Sequence, residues 1–140
     1  MDNPKFTNTI ASLYPTDNKV QAPVFYYDVI KGHHLANLYL KYTLAAIQLN
    51  IKEVTVEIEI VRDDGKKVFE YDTPLKTDSF YANGKVEEKD VITASFTSGP
   101  FKFEIPDDET HFYSVQMMLK GSNEKLLDTN KTWLMTRPEK

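Results

Sequence analysis

Residues 53–60 alternate without a break. Val54, Val56, Ile58 and Ile60 are apolar, while Glu53, Thr55, Glu57 and Glu59 are polar or charged. Period two over that length predicts a strand with one face on a core and one face in water. Asp63-Asp64-Gly65-Lys66 follows, where the glycine can supply the positive φ of a tight turn, and Lys67–Tyr71 reads as the returning strand, closed by Pro74. Further β-branched or aromatic runs stand at Val24–Ile30, Val91–Phe96, Phe101–Ile105 and His111–Leu119, with Lys125–Leu127 and Lys131–Thr136 as a last strand or pair. Asn83-Gly84 suits a second hairpin. Residues 35–49 read two ways: Leu35, Leu38, Tyr42, Ala45 and Leu49 fall at helical spacing, whereas Leu38, Leu40, Tyr42, Leu44 and Ala46 line one face of a strand. The strand is favoured, because the neighbours are all β and no N-cap residue precedes Leu35.

The first 22 residues are polar, turn-rich and carry Pro4 and Pro15, so they read as an irregular N-terminal arm before a single domain over 23–137. Seven or eight short strands with turn signals every 8–15 residues imply an all-β, antiparallel sandwich, with a short helix at 35–49 as the one α alternative. Two details resemble the immunoglobulin-like or fibronectin-type-III-like superfamily. Tyr42-Thr-Leu, then Val54-Thr-Val-Glu-Ile and Asp64-Gly-Lys-Lys-Val, is similar to the B–C–C′ pattern of bacterial Ig-like modules. Asp107 and Asp108 followed by Tyr113 resemble a tyrosine corner, which implies a buried phenol bonded to backbone near Pro106–Asp108. The chain departs from the antibody pattern in having no cysteine and in carrying its one tryptophan, Trp133, on the last strand.

Composition narrows the function. A net charge of −4, from 17 basic and 21 acidic residues, leaves no broad footprint for nucleic acid. Without cysteine there are no disulfides, thiol nucleophiles or Cys-ligated zinc. No apolar run approaches the ~20 residues of a membrane span, and residues 1–19 lack the pattern of a signal peptide. An extracytoplasmic setting remains the expectation, since a mature exported domain can carry an added Met1. Arginine is confined to Arg62 and Arg137, a lysine bias that points to an AT-rich microbial or phage coding sequence.

Signatures of catalysis are missing. The five glycines stand singly, so neither a dinucleotide fingerprint nor a phosphate loop exists, and no serine sits in a G-x-S-x-G elbow. His33 and His34 read as an exposed structural pair, and His111, beside Asp108 and Glu109, as a polar strand end or weak pH-sensing pair. The acids Asp107–Glu109 lack the spaced ligands of a calcium loop. Asn130-Lys-Thr132 matches a glycosylation acceptor. No catalytic residue, metal ligand or cofactor is therefore assigned, and the chain is not expected to be an enzyme.

Aromatics carry the functional signal. Phe80 and Tyr81 adjoin a turn in a polar stretch, and on a strand at most one of them can enter the core. Tyr26 takes the face opposite Phe25 and Tyr27. Phe80, Tyr81 and Tyr26 are thus the candidate binding residues, and the expected role is a noncatalytic binding or assembly module. Its setting would be a bacterial surface or periplasmic protein or a phage structural protein, and its partner a protein or a glycan. The alternative is a small carrier or sensor holding an apolar ligand between its sheets.

Overall fold

The computed structural model describes residues 7–17, 22–82, 84–88 and 90–139. Among the described residues nine strands form two sheets: β1 (Thr9–Thr16), β2 (Tyr26–Val29), β3 (Leu35–Gln48), β4 (Glu53–Arg62), β5 (Lys67–Lys76), β6 (Gly84–Glu88), β7 (Val91–Glu104), β8 (His111–Lys120) and β9 (Leu126–Pro138). One sheet runs β1-β3-β7-β6 and the other β2-β9-β8-β4-β5. In immunoglobulin lettering these are A-B-E-D and A′-G-F-C-C′, the division of strands that defines an Ig-like sandwich. Neighbours are antiparallel except β2, which lies parallel to β9. Among the described residues no helix is long and apolar enough to cross a membrane.

Strand β4 follows the alternation of its sequence. Val54, Val56, Ile58 and Ile60 are buried, and their polar neighbours face outward. The turn to β5 is held by Arg62 N–H donating to the Lys66 carbonyl at 2.8 Å, with Gly65 at φ +89°. Asp64 grips the Arg62 guanidinium through Nε at 3.0 Å and Nη2 at 2.7 Å, and these bonds hold its carboxyl down at about 2. Strand β5 runs on through Pro74 to Lys76 instead of closing there. It can do so because β5 is a sheet edge, where a missing N–H leaves no ladder bond unmade.

Strand β3 settles the ambiguity of 35–49 as β throughout. Ala36, Leu38, Leu40, Tyr42 and Leu44 enter the core at period two. A bulge then shifts the phase: Ala46 adopts φ +54°, its N–H donates to Thr93 Oγ1 at 2.9 Å, and Ile47 takes the inward place expected of Ala46. Residues 91–105, expected as two strands, form the single strand β7 and the residue after it. Pairing with β3 continues across Ser98-Gly99-Pro100 by a second bulge. Gly99 sits at φ +136°, and a Cβ there would lie 2.6 Å from the Leu38 carbonyl oxygen, so only glycine fits.

Three further expectations about the fold fail. Thr9–Thr16, expected as part of an irregular arm, is strand β1, paired along β3 with Ile10 and Leu13 in the core. Pro15 is accommodated because β1 is an edge. The stretch before Asn83 is a 3-10 turn, Thr77–Ala82, and not a hairpin strand; Asn83 itself lies outside the described residues. Tyr113 is buried as expected, only 2% exposed, but its hydroxyl makes no hydrogen bond to Pro106–Asp108 or to any other described group. Burial pushes its phenol up. The tyrosine-corner bond is absent.

Strand β1 is fastened to the opposite sheet by side chains. The Ile10 N–H donates to Asp128 Oδ2 at 2.7 Å, and Asn130 Nδ2 donates to the Ile10 carbonyl at 3.1 Å. The inward positions of this half of β9 are polar for that reason: they face the bulged backbone of β1 rather than core. The amide of the Asn-Lys-Thr motif is engaged in the same contact.

Two outcomes follow from these bonds. Asp128→Ala strips the Ile10 N–H of its partner and should cost about 1–3 kcal/mol in chemical denaturation. Tyr113→Phe removes a hydroxyl that has no partner, so the change should stay within about 0.5 kcal/mol or be slightly stabilising. A loss above that range for Tyr113→Phe would restore the corner bond.

Candidate functional site

The outer face of the five-stranded sheet divides into two halves of different chemistry. On β4 and β5, Glu57 stands opposite Asp72 and Glu59 opposite Glu70. Such like-charge pairs repel, and two lysines relieve them: Lys120 Nζ lies 2.6 Å from Glu57, and Lys67 Nζ lies 2.7 Å from Glu70 and 3.4 Å from Glu59. Two lysines thus meet three of the four carboxylates, and this half keeps an excess of negative charge.

The half built by β2, β9 and β8 is aromatic. Alternation along β9 buries Leu134 and Thr136 and turns Trp133, Met135 and Arg137 outward. Alternation along β8 buries Tyr113 and turns out Phe112, whose register partner is Met135. Tyr26 pairs with Met135 from the other side. Trp133 is 44% exposed, Phe112 52% and Tyr26 53%.

The rings are held in place from below and beside. Phe25 stacks on Trp133 with centroids 5.2 Å apart and an interplanar angle of 21°. Tyr26 meets the same indole edge-on at 6.0 Å. The Arg137 guanidinium lies 5.2 Å from the Tyr26 ring centre and donates from Nε to Asp28 Oδ1 at 2.6 Å, so its charge is neutralised where it covers the ring. Tyr27, on the inner side of β2, donates its hydroxyl to the Thr16 carbonyl at 2.8 Å, and burial pushes that phenol up. With Tyr27 fixed inward, Tyr26 has to face out.

The three binding candidates separate. Tyr26 belongs to the aromatic half. Phe80 does not lie on a surface at all: it is fully buried under the Thr77–Ala82 turn, edge-on to Phe96 at 5.2 Å, and is corrected to a core residue. Tyr81 is 55% exposed but follows β5, at the sheet edge opposite β2, so it does not join Tyr26. Trp133, Phe112 and Arg137 were not singled out from the sequence, although a lone tryptophan outside the usual Ig position was the available signal.

Two of the histidines, His34 and His111, tie loops together. His34 Nε2 lies 3.0 Å from Asp108 Oδ1, which also accepts from Gly32 N–H at 3.1 Å. His111 pairs with neither Asp108 nor Glu109: its Nε2 lies 2.7 Å from Asp107 Oδ1 and its Nδ1 3.5 Å from Asp63 Oδ1. Asp63 in turn accepts from Phe112 N–H at 3.1 Å, which ties the β4–β5 turn to the start of β8 beside the aromatic half. No group of three His, Asp or Glu side chains among the described residues could hold a metal ion.

No family model matches the sequence, and no curated protein matches it. Solved structures do. An adhesin from Mobiluncus mulieris with intramolecular disulfide, isopeptide and ester cross-links aligns at TM-score 0.66 and 11% identity, over 95% of this chain and 58% of its own. A chain from Bacteroides fragilis assigned as a β-galactosidase aligns at 0.57 and 20% identity, over 91% of this chain and 17% of its own. A glycosyl hydrolase family 2 member from Bacteroides cellulosilyticus aligns at 0.57 and 12% identity, over 90% and 15%. At these identities the likeness shows the fold alone. The chain corresponds to a small part of each hydrolase and to somewhat over half of the adhesin chain.

The His111 bridge has a pH signature. Burial alone would lower the imidazole, but the bonds and charges of Asp107 and Asp63 outweigh it and leave the pKa raised. A raised folded-state pKa stabilises fully below the ordinary imidazole value of about 6.5 and loses that contribution as pH climbs through the raised one. Denaturation midpoints between about pH 5.5 and 8.5 should therefore fall more steeply in the wild type than in His111→Asn. Parallel profiles would contradict the bridge.

Proposed function

We propose that this domain is a noncatalytic recognition module of a larger bacterial protein, and that it binds glycan chains on the outer face of β2, β9 and β8. The observation that carries this reading is the exposed aromatic surface of Tyr26, Trp133 and Phe112. Flat rings held by their neighbours offer the apolar faces of sugar rings a stacking surface at little cost in side-chain entropy. Polar groups stand within the same face for hydroxyl recognition: Ser114 opposite Trp133, and Asp28 with Arg137 beside Tyr26. The platform is the outer face of a sheet rather than a cleft, which suits holding a polymer.

The neighbours add support of a general kind, since this fold recurs as a minor portion of hydrolase chains and in an adhesin. A carrier of apolar ligands has less behind it. Leu40, Leu44, Ile47, Val56, Ile60, Val115, Met117 and Leu119 belong to one buried cluster in the space between the sheets.

Trp133 is the only tryptophan in the chain, so its fluorescence reports on this surface without ambiguity. Titration with soluble neutral glucans, xylans and mannans should give a saturable change in that emission for at least one polymer. In affinity gels, Trp133→Ala and Tyr26→Ala should each weaken retention by about tenfold or more. Tyr81→Ala should leave it unchanged. Unaltered emission with every polymer, or retention indifferent to Trp133→Ala, would overturn the reading.

A further inference from the structure

A separate opening lies at the end of the sandwich where β3 begins, β4 turns into β5, and β7 ends. Its volume is about 730 Å³, within the range of about 300–1,000 Å³ usual for small-ligand sites. Arg62, Lys66, Lys67 and Lys102 line it together with the imidazoles of His33 and His34, against a single carboxylate, Glu104. Arg62 and Lys67 have carboxylate partners just outside the lining, which leaves Lys66 and Lys102 set against Glu104.

We infer that this cleft binds an anionic saccharide, a short run of sugar units bearing carboxylate or sulfate groups. The inference rests on reading the domain as a glycan-binding module, but it concerns a different set of residues from those of the aromatic face.

The cations are not equivalent. Arg62 is buried, its charge met by Asp64, and it forms a fixed wall. Lys67 is shared between Glu59 and Glu70 on the outer face. Lys66 and Lys102 make no ion pair among the described residues and supply the uncompensated charge. Leu35, Val68 and Ile105 line the same opening, and such low-dielectric walls strengthen the field the lysines project.

The adjoining strand edges argue against an extended acidic peptide. Among the described residues strand β6 pairs with β7 over Val91–Ala94, and no further strand of that sheet flanks the rest of this edge. There, however, the bulge at Gly99 and the missing N–H of Pro100 interrupt the hydrogen-bonding row, and Pro106 follows the strand's end. Pro74 blunts the β5 edge in the same way. Edges so interrupted resist strand addition, and recognition falls to the side chains.

The test measures affinity of the whole chain for polygalacturonate and dextran sulfate, with neutral dextran and polyglutamate as comparisons. Lys66→Glu combined with Lys102→Glu should weaken binding to at least one acidic polysaccharide by about tenfold or more. Lys125→Glu, at the opposite end of the sandwich, should not. Raising NaCl from about 50 to about 500 mM should weaken wild-type binding, because exposed lysines are screened. Equal affinity of wild type and the double variant, or no binding of either acidic polysaccharide, would overturn the inference. Polyglutamate bound as tightly through the same two lysines would overturn the saccharide assignment. Trp133→Ala separates the two sites: loss of neutral-glycan binding with Lys66 and Lys102 indifferent to acidic polymer sinks the cleft alone, and the reverse pattern sinks the aromatic face alone.

Discussion

The inner faces of β3, β4, β7 and β8 constrain everything else in this molecule. Leu38, Leu40, Tyr42 and Leu44 come from one sheet, and Val54, Val56, Ile58, Ile60, Val115, Met117 and Leu119 from the other. Burying each such aliphatic side chain stabilises by about 1.5–3 kcal/mol. A one-residue slip of β4 would exchange four buried aliphatics for Glu57, Glu59 and their neighbours. Register is therefore not negotiable, and with it goes the direction of every outward side chain. The same alternation that buries Tyr113 and Leu134 exposes Phe112 and Trp133.

The edges are managed by other means. Strand β1 cannot close the gap to β9 through backbone pairing, so Asp128 and Asn130 bridge it to Ile10. Strand β2 is only four residues long, and Tyr27 anchors it to the end of β1. At the other end of the sandwich, Asp63, Asp107 and Asp108 tie three loops together through His111 and His34. These polar contacts add little core, but they fix the surroundings of both the aromatic face and the basic cleft.

Legibility of the fold followed local redundancy. The β4–β5 hairpin was readable because alternation, turn chemistry and the glycine all agreed. Strand β1 was not: an edge strand needs few core residues, and the polar text with Pro15 matched an arm equally well. Strand β7 was split in the reading because Gly99-Pro100 looks like punctuation, whereas the partner strand β3 carries the pairing across it. For the site, Tyr26 was reachable from the Phe-Tyr-Tyr alternation. Trp133 was harder, because Thr136, Asn130 and Asp128 occupy inward positions and blur the apolar period of β9. Phe80 and Tyr81 do divide between core and solvent, but on a 3-10 turn whose buried member no strand argument could identify.

On the function proposed above, the domain meets its ligand on the face of β2, β9 and β8. Backbone and indole amide shifts, recorded by two-dimensional NMR during titration with a bound glucan, xylan or mannan, test it residue by residue. The predicted result is a contiguous set of perturbed signals at Tyr26, Phe112, Ser114 and Arg137, with the Trp133 indole N–H among the largest. Perturbations gathered instead on the outer face of β1, β3 and β7, with the Trp133 indole unmoved, would contradict it.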